Sequence, residues 1–364
     1  SALVRNEDKN SIFATVRKSY DSIDASVSDW IELYQEDNKE AIASLLNFVI
    51  HSSGCVASNL TSDEVDSSKI GESLDELVDK FPATDDYPVV SNHRTFKQFD
   101  KNFLSFWATL IEQCSETVIF DESFSEEFLS CLYVISTHKI RAFRHTATLA
   151  AYQIVDQLII SIKDQTKQLG KAEKQKKKNK KIKEQVDALN EQIETMKSII
   201  GSIVEHVFQE RYKDVAADIR GLGVESLGGW ILKHPDVFLS DQYLKYFGWL
   251  LSDKHSGVRE LILKYLLKIY AKEEWHGQLN KFTKRYFSRL VELATEDSNI
   301  SVSVNAIQLM TLFLKYSFFE GIPREEDLIT SIQSLLFDEN ASIRHYAAQF
   351  IQEHLSQTIV QKKR

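Results

Sequence analysis

Basic side chains recur at short intervals in several parts of the chain. Arg94, Lys97 and Lys101 follow His93, Lys139 and Arg141 sit in "HKIRAFRH" (138–145) with Arg144, and Lys264, Lys268, Lys272, Lys281, Lys284 and Arg285 crowd a later stretch. Spacings of three and four residues set such side chains in rows along a helix. A groove lined by such rows fits the evenly spaced phosphates of duplex DNA without reading bases. A charge run also serves as a plain solvated face, so each row carries both readings. Eight more lysines fall between Lys171 and Lys183, and eight like charges repel, which predicts a frayed tip. A second chemistry comes from aromatics. Trp249 and Tyr286 lie one repeat-helix apart, with Arg285 beside the tyrosine. An exposed aromatic next to an arginine is the composition of a peptide-docking hot spot. Trp249 suits a core position equally well.

Nothing in the chain nominates a reaction. There is no GxxxxGK[ST], GxGxxG, HExxH or CxxC pattern and no EF-hand loop. "GVESLGG" has the look of a nucleophile elbow, but that turn needs G-x-S-x-G after a strand, and its neighbours are helical. The ten histidines do not pair at metal-ligand spacing, and His145 reads as a structural histidine near a helix start. No catalytic residue, cofactor or metal is expected, and the chain is not expected to be an enzyme. The net charge is −9 over 364 residues, so any contact with nucleic acid must rest on a local patch. Three unpaired cysteines, Cys55, Cys114 and Cys131, indicate a reducing compartment. No apolar run reaches the ~18 residues of a membrane span. The chain has no obvious natural start or stop, so a fragment of a longer protein is expected.

The elements that must hold these residues are legible from a repeat. Asp214 leads to Ile219-Arg220, Asp253 to Val258-Arg259 and Asp338 to Ile343-Arg344; Asp297 leads to Val302, with Ser303 in the arginine's place. The aspartates are 39, 44 and 41 residues apart, a period that fits HEAT-type helix pairs. Phe143-Arg144 marks an earlier, weaker copy. Each aspartate is placed in the turn between two helices, capping the second. The branched residue fills the seam, and the arginine ladders to the aspartate of an adjacent repeat. Only 12 Gly and 4 Pro occur, which favours long helices with short loops. The prediction is an all-α, HEAT-repeat-like curved solenoid with a protruding long helical hairpin around 145–208. Its two helices are placed at 145–170 and about 180–208, with the basic tip at 171–183. The regions expected are N-terminal helices over 1–95, with an acidic loop at Pro82 and Pro88, and a helical region with the hairpin over 96–210. Regular repeats follow over 211–320, with a further, truncated repeat over 321–364.

Several ordered stretches carry a resemblance: "FRHTATLAA" (143–151), "RYKDVAADIR" (211–220), "SLGGW" (226–230), "FLSDQYLKYFGWLLSDKHSGVR" (238–259) and "LNKFTKRYFSRLVELATEDSNISVSVNAIQLM" (279–310). Over about 96–320 the chain resembles the stromal-antigen (stromalin) subunit of cohesin, and 211–320 its stromalin conservative domain. The divergence of 1–95 points to a fungal member. The resemblance implies a hook-shaped helical solenoid that helps cohesin load onto chromosomes and hold sister chromatids together in the nucleus. It implies DNA contact through basic residues, for which Arg94, Lys97, Lys101, Lys139, Arg141, Lys264, Lys268, Lys281 and Lys284 are the candidates. It implies kleisin binding mostly through repeats beyond residue 364. It also implies a patch for short aromatic motifs of the cohesin loader and regulators, at Trp249, Arg285 and Tyr286. Family members often carry Phe where Tyr286 stands, which puts the ligand motif in question. The competing reading is a protein-only HEAT scaffold that binds peptides and no DNA.

Overall fold

The computed structural model describes residues 8–56, 59–78, 86–174 and 180–362. Pro82 of the expected acidic loop and Lys176, Lys177 and Lys178 of the basic tip lie outside the described residues. Among the described residues there are helices and no strands. The chain divides into two compact units, Ser1–Lys213 and Asp214–Arg364. The first holds α1 (Ile12–Lys18), α2 (Ile23–Glu36), α3 (Asn38–Ser52), α4 (Ile70–Val78), α5 (Phe99–Cys114), α6 (Leu129–Ser136), α7 (Arg141–Glu173), α8 (Lys180–Ile203) and α9 (Gln209–Arg211). The second holds α10 (Ala217–Lys233), α11 (Pro235–Phe238), α12 (Asp241–Leu250), α13 (Ser256–Tyr270), α14 (His276–Glu296), α15 (Ile300–Lys315), α16 (Glu325–Ser334) and α17 (Ala341–Lys362).

In the first unit α5 buries Phe99, Phe103, Phe106, Trp107, Leu110 and Ile111, one stripe at three- and four-residue spacing. Trp107 stacks on Phe128 with ring centres 5.8 Å apart, and Phe48 of α3 closes the cluster edge-on to Phe106. The long hairpin is present. Its first helix starts at Arg141, four residues before the expected His145, because Ala142, Phe143 and Arg144 are already buried. Its second helix carries the expected buried stripe from Val186 to Ile203. Past Ile203 it widens into a π-helical turn, Val204–Phe208. Val204, Val207 and Phe208 continue the buried stripe through it. Burial lifts the Cys55, Cys114 and Cys131 thiols to about 12, which leaves all three inert.

The second unit is built from the repeat. α10, α13, α15 and α17 pack side by side in one row, and α12, α14 and α16 in another. Ile219, Val258, Val302 and Ile343 are buried in the seam between rows. The turns between rows share one design. Asp214, Asp253, Asp297 and Asp338 each accept, through Oδ1, the amide two residues on, at 2.8, 2.8, 2.9 and 2.7 Å. This is an Asx turn that begins two residues ahead of the N-cap, and the expected cap on the helix itself is absent at these aspartates. The N-cap residues of α10, α13 and α15 are Ala216, His255 and Asn299. Arg220, Arg259 and Arg344 each reach back with Nη1 to the carbonyl of their own turn aspartate, at 2.7 Å in every case. Arg144 makes the same backward reach in the first unit, to the carbonyls of His138 and Lys139.

The ladder is real where arginine and aspartate both stand. Arg220 forks onto Asp253 at 2.6 and 2.8 Å, and Arg259 forks onto Asp297 at 2.8 and 2.9 Å. All four side chains are at most 11% exposed. Ser303 keeps the backward contact alone, donating to the Asp297 carbonyl at 3.2 Å, and is too short to reach a further turn.

Burial pushes the Asp253 and Asp297 carboxyls up. The facing guanidinium and the turn amide outweigh that and hold both below the usual carboxylate range. Because the folded value lies below the unfolded one, this stability is present above the ordinary aspartate value and is lost as pH falls through the folded value. Asp253→Asn is expected to cost about 3–5 kcal/mol, since it leaves the Arg220 guanidinium buried opposite a neutral group. Denaturation at pH 7 and in the acid range checks both points: the variant should be weaker at neutral pH and should lose less on acidification than the parent chain.

Candidate functional site

The first basic group stands on the entry to α5. Phe96 and Phe99 point inward at 2% and 1% exposure, which fixes the short turn Arg94–Phe96 and turns Arg94, Lys97 and Lys101 outward, all exposed. None of the three makes an ion pair among the described residues. In the 138–145 stretch the charges are partly taken. Lys139 lies 2.7 Å from Asp75, and that lysine holds the Asp75 carboxyl below its usual range. Arg141 is half-buried, and Arg144 is committed to backbone carbonyls. His145 is structural, as its sequence position implied, with Nδ1 at 2.7 Å from the Tyr87 hydroxyl.

In the second unit the later lysines separate onto both rows. Lys264 and Lys268 are exposed on α13, whereas Lys281 and Lys284 are exposed on α14. Lys264 reaches Glu260 of its own helix at 2.6 Å, Lys281 reaches Asp241 at 2.7 Å, and Lys268 lies over the Tyr265 ring at 5.1 Å. Lys284 makes no ion pair among the described residues.

The aromatic patch is set by a close approach of α12 and α14. A Cβ on Gly248 would overlap the Tyr286 ring, so glycine at 248 is what lets that ring lie flat on the backbone of α12. The next residue, Trp249, is 45% exposed, which settles the open choice between core and surface. Tyr246 meets its indole edge-on at 5.4 Å. The Arg285 guanidinium lies 5.5 Å from the Tyr286 ring centre. The structure therefore brings Trp249, Arg285 and Tyr286 to two neighbouring helices of one row. It adds Lys245, whose ammonium sits 5.0 Å from the Tyr246 ring and 5.5 Å from the Trp249 ring. Lys245 was findable as an i,i+4 cation–aromatic pair with Trp249. The Tyr286 hydroxyl is buried and meets no hydrogen-bond partner among the described residues. An open surface with an aromatic and two cations can dock a chain segment. Among the described residues no cluster of metal-ligating side chains occurs, and no helix is long and apolar enough to cross a membrane.

Residues 213–287 match the stromalin conservative domain and residues 85–199 match the STAG domain. Cohesin subunit SA-1 of Xenopus laevis is 32% identical over 96% of this chain and 28% of its own length. Cohesin subunit psc3 of Schizosaccharomyces pombe is 29% identical over 97% of this chain and 38% of its own length. The solved structure of cohesin subunit Scc3 from Z. rouxii shares the fold, with a TM-score of 0.84 at 24% identity over 98% of this chain and 43% of that one. The chain thus spans less than two fifths of the curated relatives it matches here. The frog and fission-yeast proteins are nearly equidistant from it, which does not single out a fungal source.

Two substitutions separate the roles of the patch. Gly248→Ala is expected to lower stability by about 1–3 kcal/mol, because the Tyr286 ring must move away. Tyr286→Phe keeps the ring and deletes the orphaned hydroxyl, so stability should hold or rise by up to about 1–3 kcal/mol. Thermal melts of both variants check this, and a clear loss in Tyr286→Phe would mean that the hydroxyl is satisfied in solution.

Proposed function

We propose, on the premise that the chain carries both a STAG domain and a stromalin conservative domain, that it is part of the HEAT-repeat regulatory subunit of cohesin. In this reading it docks short aromatic motifs of cohesin regulators and the loader at Trp249, Arg285 and Tyr286. It binds the backbone of duplex DNA without sequence preference and supports cohesin loading and sister-chromatid cohesion on chromosomes in the nucleus. The kleisin is its assembly partner, engaged mostly by repeats beyond residue 364. The observation that carries the reading is Trp249: a large ring left 45% exposed beside Lys245 and next to the Tyr286 close approach. Core packing gains nothing from that exposure, whereas a peptide anchor needs it.

For DNA, the support is the set of outward cations without ion pairs among the described residues, Arg94, Lys97, Lys101 and Lys284. Lys139, Lys264 and Lys281 hold carboxylate partners at 2.7, 2.6 and 2.7 Å and must exchange them to reach phosphate. Arg141 and Lys268 complete the candidates. The same pairing, with a net charge of −9, favours the second reading, a protein-only scaffold that docks peptides and ignores DNA.

Duplex binding across a salt series separates the two. If Arg94, Lys97 and Lys101 meet phosphates, log affinity should fall against log salt with a slope of about −3, and scrambled sequences should compete equally. Arg94→Glu, Lys97→Glu and Lys101→Glu together should flatten that slope. No binding at low salt, or a slope the variant leaves unchanged, favours the protein-only scaffold. Trp249→Ala should keep its melting point and weaken aromatic-motif peptides roughly tenfold or more; full retained affinity would remove the patch from both readings.

A further inference from the structure

Away from those surfaces, α1, α2 and α3 enclose a cavity of about 340 Å³ in the first unit. Its floor is Phe13, Trp30, Phe48 and His51, and Asp29 and Glu40 stand at its exposed mouth with Asp8. No lysine or arginine lines it. Three of its hydroxyls and one of its three amides are spent on the backbone. Ser11 donates to the Asp8 carbonyl at 2.7 Å, Thr15 to the Ser11 carbonyl at 3.1 Å, and Ser44 to the Ala41 carbonyl at 2.6 Å. The Asn47 amide both donates to and accepts from the backbone of Leu60, at 2.9 and 2.6 Å. With three carboxylates and no lysine or arginine in its lining, the cavity is acidic. The remaining hydroxyl is Ser26, 9% exposed, which lines the cavity and makes no hydrogen bond among the described residues. The Asp29 and Glu40 carboxylates make no ion pair there either.

We propose that this cavity takes the arginine side chain of a basic peptide segment in a partner protein. A guanidinium is all donors, planar and permanently charged. It answers the unpaired carboxylates at the mouth and gives the Ser26 oxygen a hydrogen to accept, while its flat face suits an aromatic floor. An apolar anchor would strip water from Ser26 and the mouth carboxylates with nothing in return. A phosphate or carboxylate ligand would meet three acids. Lysine brings the charge but neither the fork nor the plane, and a volume of this size is in the range that encloses a small ligand group.

The test uses the full chain and a labelled Gly-Ser peptide carrying one central arginine, with lysine and citrulline versions of the same peptide, read by fluorescence anisotropy. Saturable binding of the arginine probe is expected, with the citrulline and lysine versions at least tenfold weaker. Asp29→Asn with Glu40→Gln should weaken the arginine probe by tenfold or more. Ser26→Ala should weaken it several-fold. Unchanged melting curves would show that the fold is intact in each. Equal affinity for arginine and lysine would reduce the site to plain charge attraction and overturn the assignment, as would the absence of saturable binding. A marked gain in affinity on Arg5→Gln would identify the chain's own Arg5 as the occupant and overturn it too.

Discussion

A guanidinium buried away from water costs several kcal/mol unless every donor is met by an acceptor of opposite charge or strong dipole. The second unit meets that demand with one part used repeatedly. Nη1 of Arg220 and of Arg259 takes its own turn's carbonyl, and the remaining fork takes the carboxylate of the following turn. Each of those carboxylates also holds its own turn closed. A single aspartate thus fixes a turn and the register between neighbouring helices of a row. With the row spacing set this way, α12 and α14 can approach closely enough for Tyr286 to lie on Gly248 and for Trp249 to stand outward.

The repeat was readable because its residues keep fixed offsets. Aspartate, branched residue and arginine recur at the same steps, and Ser303 announced the missing rung at the right place. The detail that misread was the aspartate's own bond. A carboxylate near a helix start reads as a cap, but here it stands two residues too early and closes the turn instead. The hairpin was legible from its apolar stripe, which runs on in phase through Val204, Val207 and Phe208, so the π-helical turn there left no mark in the spacing.

The candidate surfaces were legible only in part, for one reason. Sequence shows where a charge is and conceals what it meets. Lys139 is neutralised by Asp75 and Lys281 by Asp241, pairs separated by too much chain for any local pattern. Lys264, whose partner is one helical turn away at Glu260, was within reach of a spacing argument. Trp249 could not be placed from spacing because a helical stripe and a docking ring share the same period. The cavity of α1, α2 and α3 draws on residues whose individual roles look like ordinary caps and core, and its character emerges from which lone pairs are left over.

Ser303 has a mechanical meaning. In a linear array each repeat leans only on its neighbours, so the local free energy of opening follows the weakest joint. The ion-pair register runs through α10, α13 and α15 and stops at Asp297. Beyond it, α17 packs on α15 and buries Ala347 and Phe350, without a charged rung among the described residues. The joint between α15 and α17 therefore takes its register from apolar fit rather than from a charged fork. Acid should therefore loosen the two forked joints first and leave this one, which no carboxylate–guanidinium fork holds.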